Sequence, residues 1–219
     1  MKRTVLTLSA LCGLLSASER PEAIQNVIVH KEVGRFGGWP ANNGIWSWGN
    51  EIVVGFKLGY FKPNEHGHAI DPAKPSSLRF ARSLDGGRTW KTEMPSFNDD
   101  ADAEKTEFPQ CPGGLDFTDP NSAVAVRMVS SSRGFSRFYY SKDRAKTWQG
   151  PYQLPHFDRK GIAARTDYIV NGKHDLMAFM RPHPRRTVAK AVYFARARRT
   201  EARPGSSSPG LDPSRPAFP

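Results

Sequence analysis

One stretch of this chain occurs twice. Residues 77–90 read SLRFARSLDGGRTW and residues 135–148 read FSRFYYSKDRAKTW. At a constant offset of 58, six of the fourteen positions are identical: Arg79/Arg137, Phe80/Phe138, Ser83/Ser141, Asp85/Asp143, Thr89/Thr147 and Trp90/Trp148. Such a repeat constrains the fold more than composition does, because each copy is one supersecondary unit that buries its apolar surface only against a neighbouring copy. The surrounding residues say what the unit contains. Short runs rich in β-branched and aromatic residues predict strands at 26–33, 45–48, 51–58, 78–83, 123–129, 136–141, 167–170, 174–180 and 188–195. Gly49-Asn50 and Asn171-Gly172 read as two-residue hairpin turns. No segment keeps a helical period, so the expected fold class is all-β.

A period near 58 that holds about four short strands is the size of one β-propeller blade. The repeated segment has its own chemistry. In Ser-x-Asp-x-Gly-x-Thr-Trp the carboxylate can accept backbone N–H groups of its own turn, Gly supplies a positive φ, and Thr-Trp re-enters a strand. This pattern (Ser83, Asp85, Gly87, Thr89, Trp90, and again Ser141, Asp143, Thr147, Trp148) resembles the Asp-box, or bacterial neuraminidase repeat, of the sialidase-like superfamily. The resemblance covers residues 27–194 and implies a sialidase-type propeller, six-bladed in intact relatives, of which about three blades are present. It also implies that Asp85 and Asp143 are structural, because Asp-boxes lie at outer-strand hairpins remote from the active site. The second copy departs at Ala145, where Gly is usual, and some backbone strain is expected there.

The two ends read differently from the middle. Lys2-Arg3, an apolar run from Val5 to Leu15 and the small residues Ser16-Ala17-Ser18 form a secretory signal peptide pattern over 1–18, which implies export from the cell or to the periplasm. Cleavage there removes Cys12 and leaves Cys111 without an intrachain partner. The propeller is assigned to 19–194. Residues 195–219 carry five Pro, five Arg and three consecutive Ser without apolar periodicity, and read as a disordered or non-native tail. A frameshift is the expected origin of a non-native tail. Phe194-Ala195-Arg196 repeats Phe80-Ala81-Arg82, and the codons of 200–219 permit DGGKTWEFVSWIGPEPAGFS when read one nucleotide earlier, which is a third box. The net charge of +11 shrinks accordingly: Lys2, Arg3 and the tail's five Arg (set against Glu201 and Asp212) lie outside the propeller, leaving +6. Nucleic-acid binding is therefore not expected, and the run from Arg181 to Arg186 reads as an exposed loop.

The resemblance implies exo-acting removal of a terminal acidic sugar from a glycan, using three Arg to grip a carboxylate, an Asp acid/base and a Tyr nucleophile helped by Glu. Arg forks suit carboxylates, and a phenol avoids setting one anion against another. Arg35, in Gly34-Arg35-Phe36-Gly37-Gly38-Trp39-Pro40, follows the first expected strand where the family's first substrate Arg belongs. Trp39 and Asn43 are candidates for sugar contact, and Arg165 for a second carboxylate ligand. Asp71, in a long loop after an early strand, is the catalytic acid/base candidate. His66 and His68, one residue apart with no third ligand nearby, read as a polar loop, and no metal or cofactor is expected. Tyr168 comes too early to be the family's nucleophile, and the later-blade groups are missing. The function expected is thus a truncated sialidase-like hydrolase of little or no activity; the alternatives are a carbohydrate-binding propeller fragment, or a polysaccharide lyase or non-sialic glycosidase on a similar propeller. The partner is a glycan. Six blades need roughly 340 residues, so an open propeller edge is expected to promote self-association.

Overall fold

In the computed structural model, residues 24–103, 105, 107–129, 135–155, 161–183 and 193–196 are described. Residues 1–18, read above as a signal peptide, Arg186 and residues 197–219 lie outside them. The described chain is built of antiparallel sheets with two helical turns.

The first sheet forms around β3 (Glu51–Tyr60). Its residues are apolar on both faces, which marks a central strand. Two short strands share one edge of β3: β1 (Arg35–Gly38) pairs with residues 57–60 and β2 (Ile45–Trp48) with residues 51–54. Between them the chain leaves the ladder for a single helical turn, α1 (Pro40–Asn43). Pro40 presets the helical φ, and Gly44 ends the turn at φ 95°. On the other edge β4 (Ser77–Ser83) pairs with β3, and β5 (Lys91–Glu93) with β4. A second helical turn, α2 (Asp99–Ala103), follows.

The second sheet is β6 (Ala123–Arg127), β7 (Arg137–Ser141) and β8 (Gln149–Gln153). The third is β9 (Gly161–Gly172), β10 (Asp175–His183) and β11 (Tyr193–Arg196). The sheets bury their faces on one another in chain order. Trp46, Val53, Leu78 and Phe80 of the first pack against Ala123, Ala125 and Tyr139 of the second. Val124, Val126 and Tyr140 of the second pack against Ile162, Ala164, Leu176 and Met180 of the third. Burial at this scale, about 25 cal/mol per Å² of apolar surface, is what joins the sheets.

Three expectations are corrected. Residues 26–33 form no strand: they run along the outer face of the first sheet with Val29 packed near Phe56, Leu58 and Ala81. The second hairpin turn lies at Lys173-His174, with Asn171 and Gly172 still inside β9. Contacts to residues 115–117 hold it there, since Phe117 N–H donates to Lys173 C=O at 2.8 Å and His174 Nδ1 lies 2.6 Å from Leu115 C=O. Finally, Ala195 and Arg196, assigned to the tail, belong to β11, where they pair with Ala178 and Met177.

The two repeated turns have one hydrogen-bond pattern. In each, Thr Oγ1 donates to Asp Oδ2 (2.6 Å at both Thr89–Asp85 and Thr147–Asp143). The Thr and preceding N–H groups donate to Asp Oδ1. The Ser hydroxyl accepts from Gly87 N–H or Ala145 N–H. Thr89 and Ser83 hold the Asp85 carboxyl well below the usual carboxylate range. At Asp143 burial acts to raise the value, but the bonds from Thr147 and Ser141 outweigh it and lower it. Ala145 takes φ 63° where Gly87 takes φ 90°. Its methyl is buried in the cluster between the first two sheets. The same backbone turns two carbonyls toward the first sheet: Arg82 donates to Arg144 C=O (2.9 Å) and Ala145 C=O (3.3 Å), while also binding Glu51 and Glu93.

Candidate functional site

The site begins with a problem of like charges. In the register of the second sheet Arg127 and Arg137 lie directly opposite each other, an arrangement that repels unless a carboxylate is interposed. The run Asp99-Asp100-Ala101-Asp102 of α2 supplies it. Asp99 accepts from Arg127 Nε (3.1 Å) and NH2 (2.6 Å) and from Arg137 NH2 (2.5 Å). Asp102, three residues on and so on the same helical face, accepts from Tyr139 OH at 2.6 Å. Asp100 points outward and takes the Lys57 ammonium at 2.8 Å.

This network is buried. Arg137 is fully enclosed, and Asp99, Asp102 and Arg127 are each less than a tenth exposed. Burial acts to raise the pKa of Asp99, yet the Arg127 hydrogen bonds and the charges of Arg127, Arg137 and Lys57 win, holding it below the ordinary value. Tyr139 shifts the other way: burial first, then its bond to Asp102, push the phenol above its usual range. Phe97 stacks on that ring at 3.8 Å.

Above the network opens a cleft of about 200 Å³, walled by Trp39, Asn42, Lys57, Asp100, Arg127 and Met128 among others. α1 forms one wall because β3 has a glycine beneath it. A Cβ on Gly55 would sit 2.5 Å from the Asn43 carbonyl, so only Gly allows the turn to approach. Asn43 is buried and immobilised, its amide donating to Trp39 C=O at 2.6 Å and its oxygen accepting from Arg127. Trp39 holds φ 55°, a left-handed conformation that costs a bulky residue about 1–3 kcal/mol. Its indole N–H donates to His68 Nε2 at 3.1 Å.

Of the residues picked out from the sequence, Trp39 and Asn43 therefore meet at the cleft, Asn43 as a support for Arg127. The others do not join them. Arg35 Nε donates to Gly59 C=O at 2.7 Å and its guanidinium stacks 4.4 Å over Tyr60. Asp71 caps its own loop by accepting Ala73 N–H, with Lys62 Nζ 3.9 Å away. Arg165 is exposed on β9; its neighbour Ala164 lines the cleft, and successive strand residues face opposite ways. Tyr168 Oη accepts Val124 N–H at 3.3 Å. Arg79 and Arg137, matched by the repeat, differ in role: Arg79 reaches the carbonyl of Leu78, while Arg137 is the enclosed pivot of the network. Lys57, Asp99, Asp100 and Arg127 went unselected as a group. The signal that joins them is the cross-strand Arg127–Arg137 pair beside the chain's DDADA run. Among the described residues, no cluster of three or more His, Cys, Asp or Glu is placed to hold a metal.

No family model and no curated protein matches the chain. Among solved structures, the β-1,2-mannobiose phosphorylase of Listeria innocua in complex with β-1,2-mannobiose aligns with 13% identity and a TM-score of 0.40. The alignment covers 76% of this chain and 57% of that one. This chain thus spans little more than half of that protein's length, and a likeness of this degree carries no argument here.

Proposed function

We propose that the chain is part of a sialidase-type β-propeller, exported from the cell, and that the cleft beside Trp39 is a glycan-binding site that holds a sugar without cleaving it. One observation carries the reading. Two turns with the same hydrogen bonds join the last two strands of successive sheets, β4 to β5 and β7 to β8, and the cleft opens at the other end of those strands. On β6 the turn lies beside Ala123, paired with Ser141, whereas Arg127, at the cleft, is four residues further along, about 13 Å at strand rise. That polarity, structural turns at one end and a polar cleft with an indole on its wall at the other, is what the resemblance implies for a blade.

The cleft favours binding over hydrolysis. A glycosidase needs a carboxyl group free to exchange a proton with the glycosidic oxygen and a second group on the opposite side of the sugar. Here Asp99 is clasped by two Arg and Asp100 by Lys57, and Asp71 lies outside the cleft walls. An aromatic platform with fixed polar groups is sufficient for recognition. The test is a glycan array probed with the full chain, together with a panel of fluorogenic glycosides that includes a sialoside. Retention of at least one glycan class without release of fluorophore is the expected result. Turnover of any glycoside above background would refute the non-catalytic part, and failure to retain any glycan would refute the site.

A further inference from the structure

We infer that the cleft selects an uncharged sugar over a carboxylated one, with Asp100 as the acceptor for its hydroxyl groups; this rests on the glycan-binding reading above. Among the described residues, four charged side chains border the cleft: Lys57 and Arg127, and Asp99 and Asp100. They cancel in number, and they also cancel in pairs. Arg127 is the guanidinium best placed for a ligand carboxylate, but its forked edge is filled by Asp99 through Nε and NH2, and its NH1 is held by Asn43. Bidentate recognition uses that same edge. A ligand carboxylate would have to displace Asp99, which would strip Arg137 of its counter-ion inside the core.

Asp100 adds a repulsive element. Its side chain is 53% exposed, and one oxygen is occupied by Lys57. As a half-exposed member of the cleft wall, this carboxylate disfavours a second anion and can accept from a neutral hydroxyl donor. Asn42 is a further polar group on the wall, and Trp39 offers its indole to the apolar face of a pyranose. A site with spent cationic forks and a spare carboxylate oxygen fits a polyhydroxylated neutral ligand, and discriminates against an acidic one by leaving it unpaired.

Paired glycans that differ only by a terminal sialic acid, printed on one array, test this with the full chain. The expected result is retention on neutral members at least tenfold stronger than on their sialylated partners. For the best neutral glycan, Asp100→Ala is expected to weaken binding at least tenfold in titration calorimetry while its thermal melt stays within a few degrees of wild type. Trp39→Phe, which keeps a ring on the wall, is expected to weaken it less. Stronger retention of the sialylated members would overturn the selectivity while leaving the glycan site standing. Unchanged affinity in Asp100→Ala would overturn the role of that carboxylate, and loss of all retention by wild type would overturn both this inference and the reading beneath it.

Discussion

The Thr166 hydroxyl of β9 meets both backbone polar groups of Val126 on β6: it accepts the N–H at 3.0 Å and donates to the C=O at 3.0 Å. Tyr168 Oη does the same for Val124 N–H. The edge of β6 away from β7 is thereby satisfied by side chains of another sheet instead of by a strand, and a buried backbone group without a partner is costly.

Removing that hydroxyl while keeping the shape should show the cost. Thr166→Val leaves Val126 N–H and C=O unpaired and is expected to destabilise the protein by about 1–3 kcal/mol, read as a lower midpoint in urea unfolding. Tyr168→Phe, which frees a longer bond, is expected to cost less. Equal stability of Thr166→Val and wild type would mean that the edge is not sealed in this way.

The Asp99 carboxylate gives the stability a pH dependence of definite sign. Its folded pKa is depressed relative to the unfolded chain, so its contribution is fully present above the ordinary carboxylate range and is lost as pH falls through and below about 4. Asp85 and Asp143 act in the same direction. Asp99→Asn, which breaks a buried pair, is expected to lose about 3–5 kcal/mol near pH 7 and to show a flatter decline between pH 5 and 3. Urea midpoints across that range check both. A variant curve parallel to wild type would rule out Asp99 as a source of the dependence.

The two turns offer a matched backbone test. Gly87→Ala places a methyl 3.5 Å from Trp90 at φ 90°, so contact is ordinary but the conformation is disfavoured, and a loss of about 1 kcal/mol is expected. Ala145→Gly relieves the same strain but removes a buried methyl and loosens the unfolded chain, so its net effect is expected to stay within about 1 kcal/mol of zero. Thermal melts of the pair settle the comparison. A large stabilisation in Ala145→Gly would show that the buried methyl contributes little.

Gly55→Ala tests the seat of the cleft. The added methyl would meet the Asn43 carbonyl at 2.5 Å, and α1 must shift, at a cost of about 1–3 kcal/mol. Asn43 and Trp39 shift with it, so glycan retention is expected to fall at least tenfold even where the variant remains folded by circular dichroism. Retention at the wild-type level would separate α1 from the binding site.

The strands β4 and β7 each end at the Ser of a repeated turn, and Phe194-Ala195-Arg196 of β11 repeats Phe80-Ala81-Arg82 of β4. Reading the gene under residues 200–219 one nucleotide earlier is expected to give DGGKTWEFVSWIGPEPAGFS. Codons that cannot encode that string would refute the shifted frame.

Much of the fold was legible because it is local. Eight of the nine strands expected from β-branched runs appear, six of them within three residues of their predicted bounds, while β9 starts six residues earlier and β11 five residues later than expected. β1, β5 and β8 were missed, since RFGG, KTE and QGPYQ carry little β-branched signal and are strands only because β3, β4 and β7 offer an edge. The cleft was mostly illegible. Asp71 and Arg35 look functional by position and type, yet each is absorbed by its own neighbourhood: Ala73 and Lys62 for one, Gly59 and Tyr60 for the other.

By itself the sequence determined the all-β class and the two turns, whose hydrogen bonds close within a few residues of Asp85 and Asp143 and so require nothing beyond the segment that encodes them. Only tertiary structure decided which charged groups meet. Arg127 finds Asp99 28 residues away and Asn43 84 residues away. A buried ion is tolerated only where partners from several elements converge on it, and that convergence is a property of packed sheets, not of any stretch of sequence.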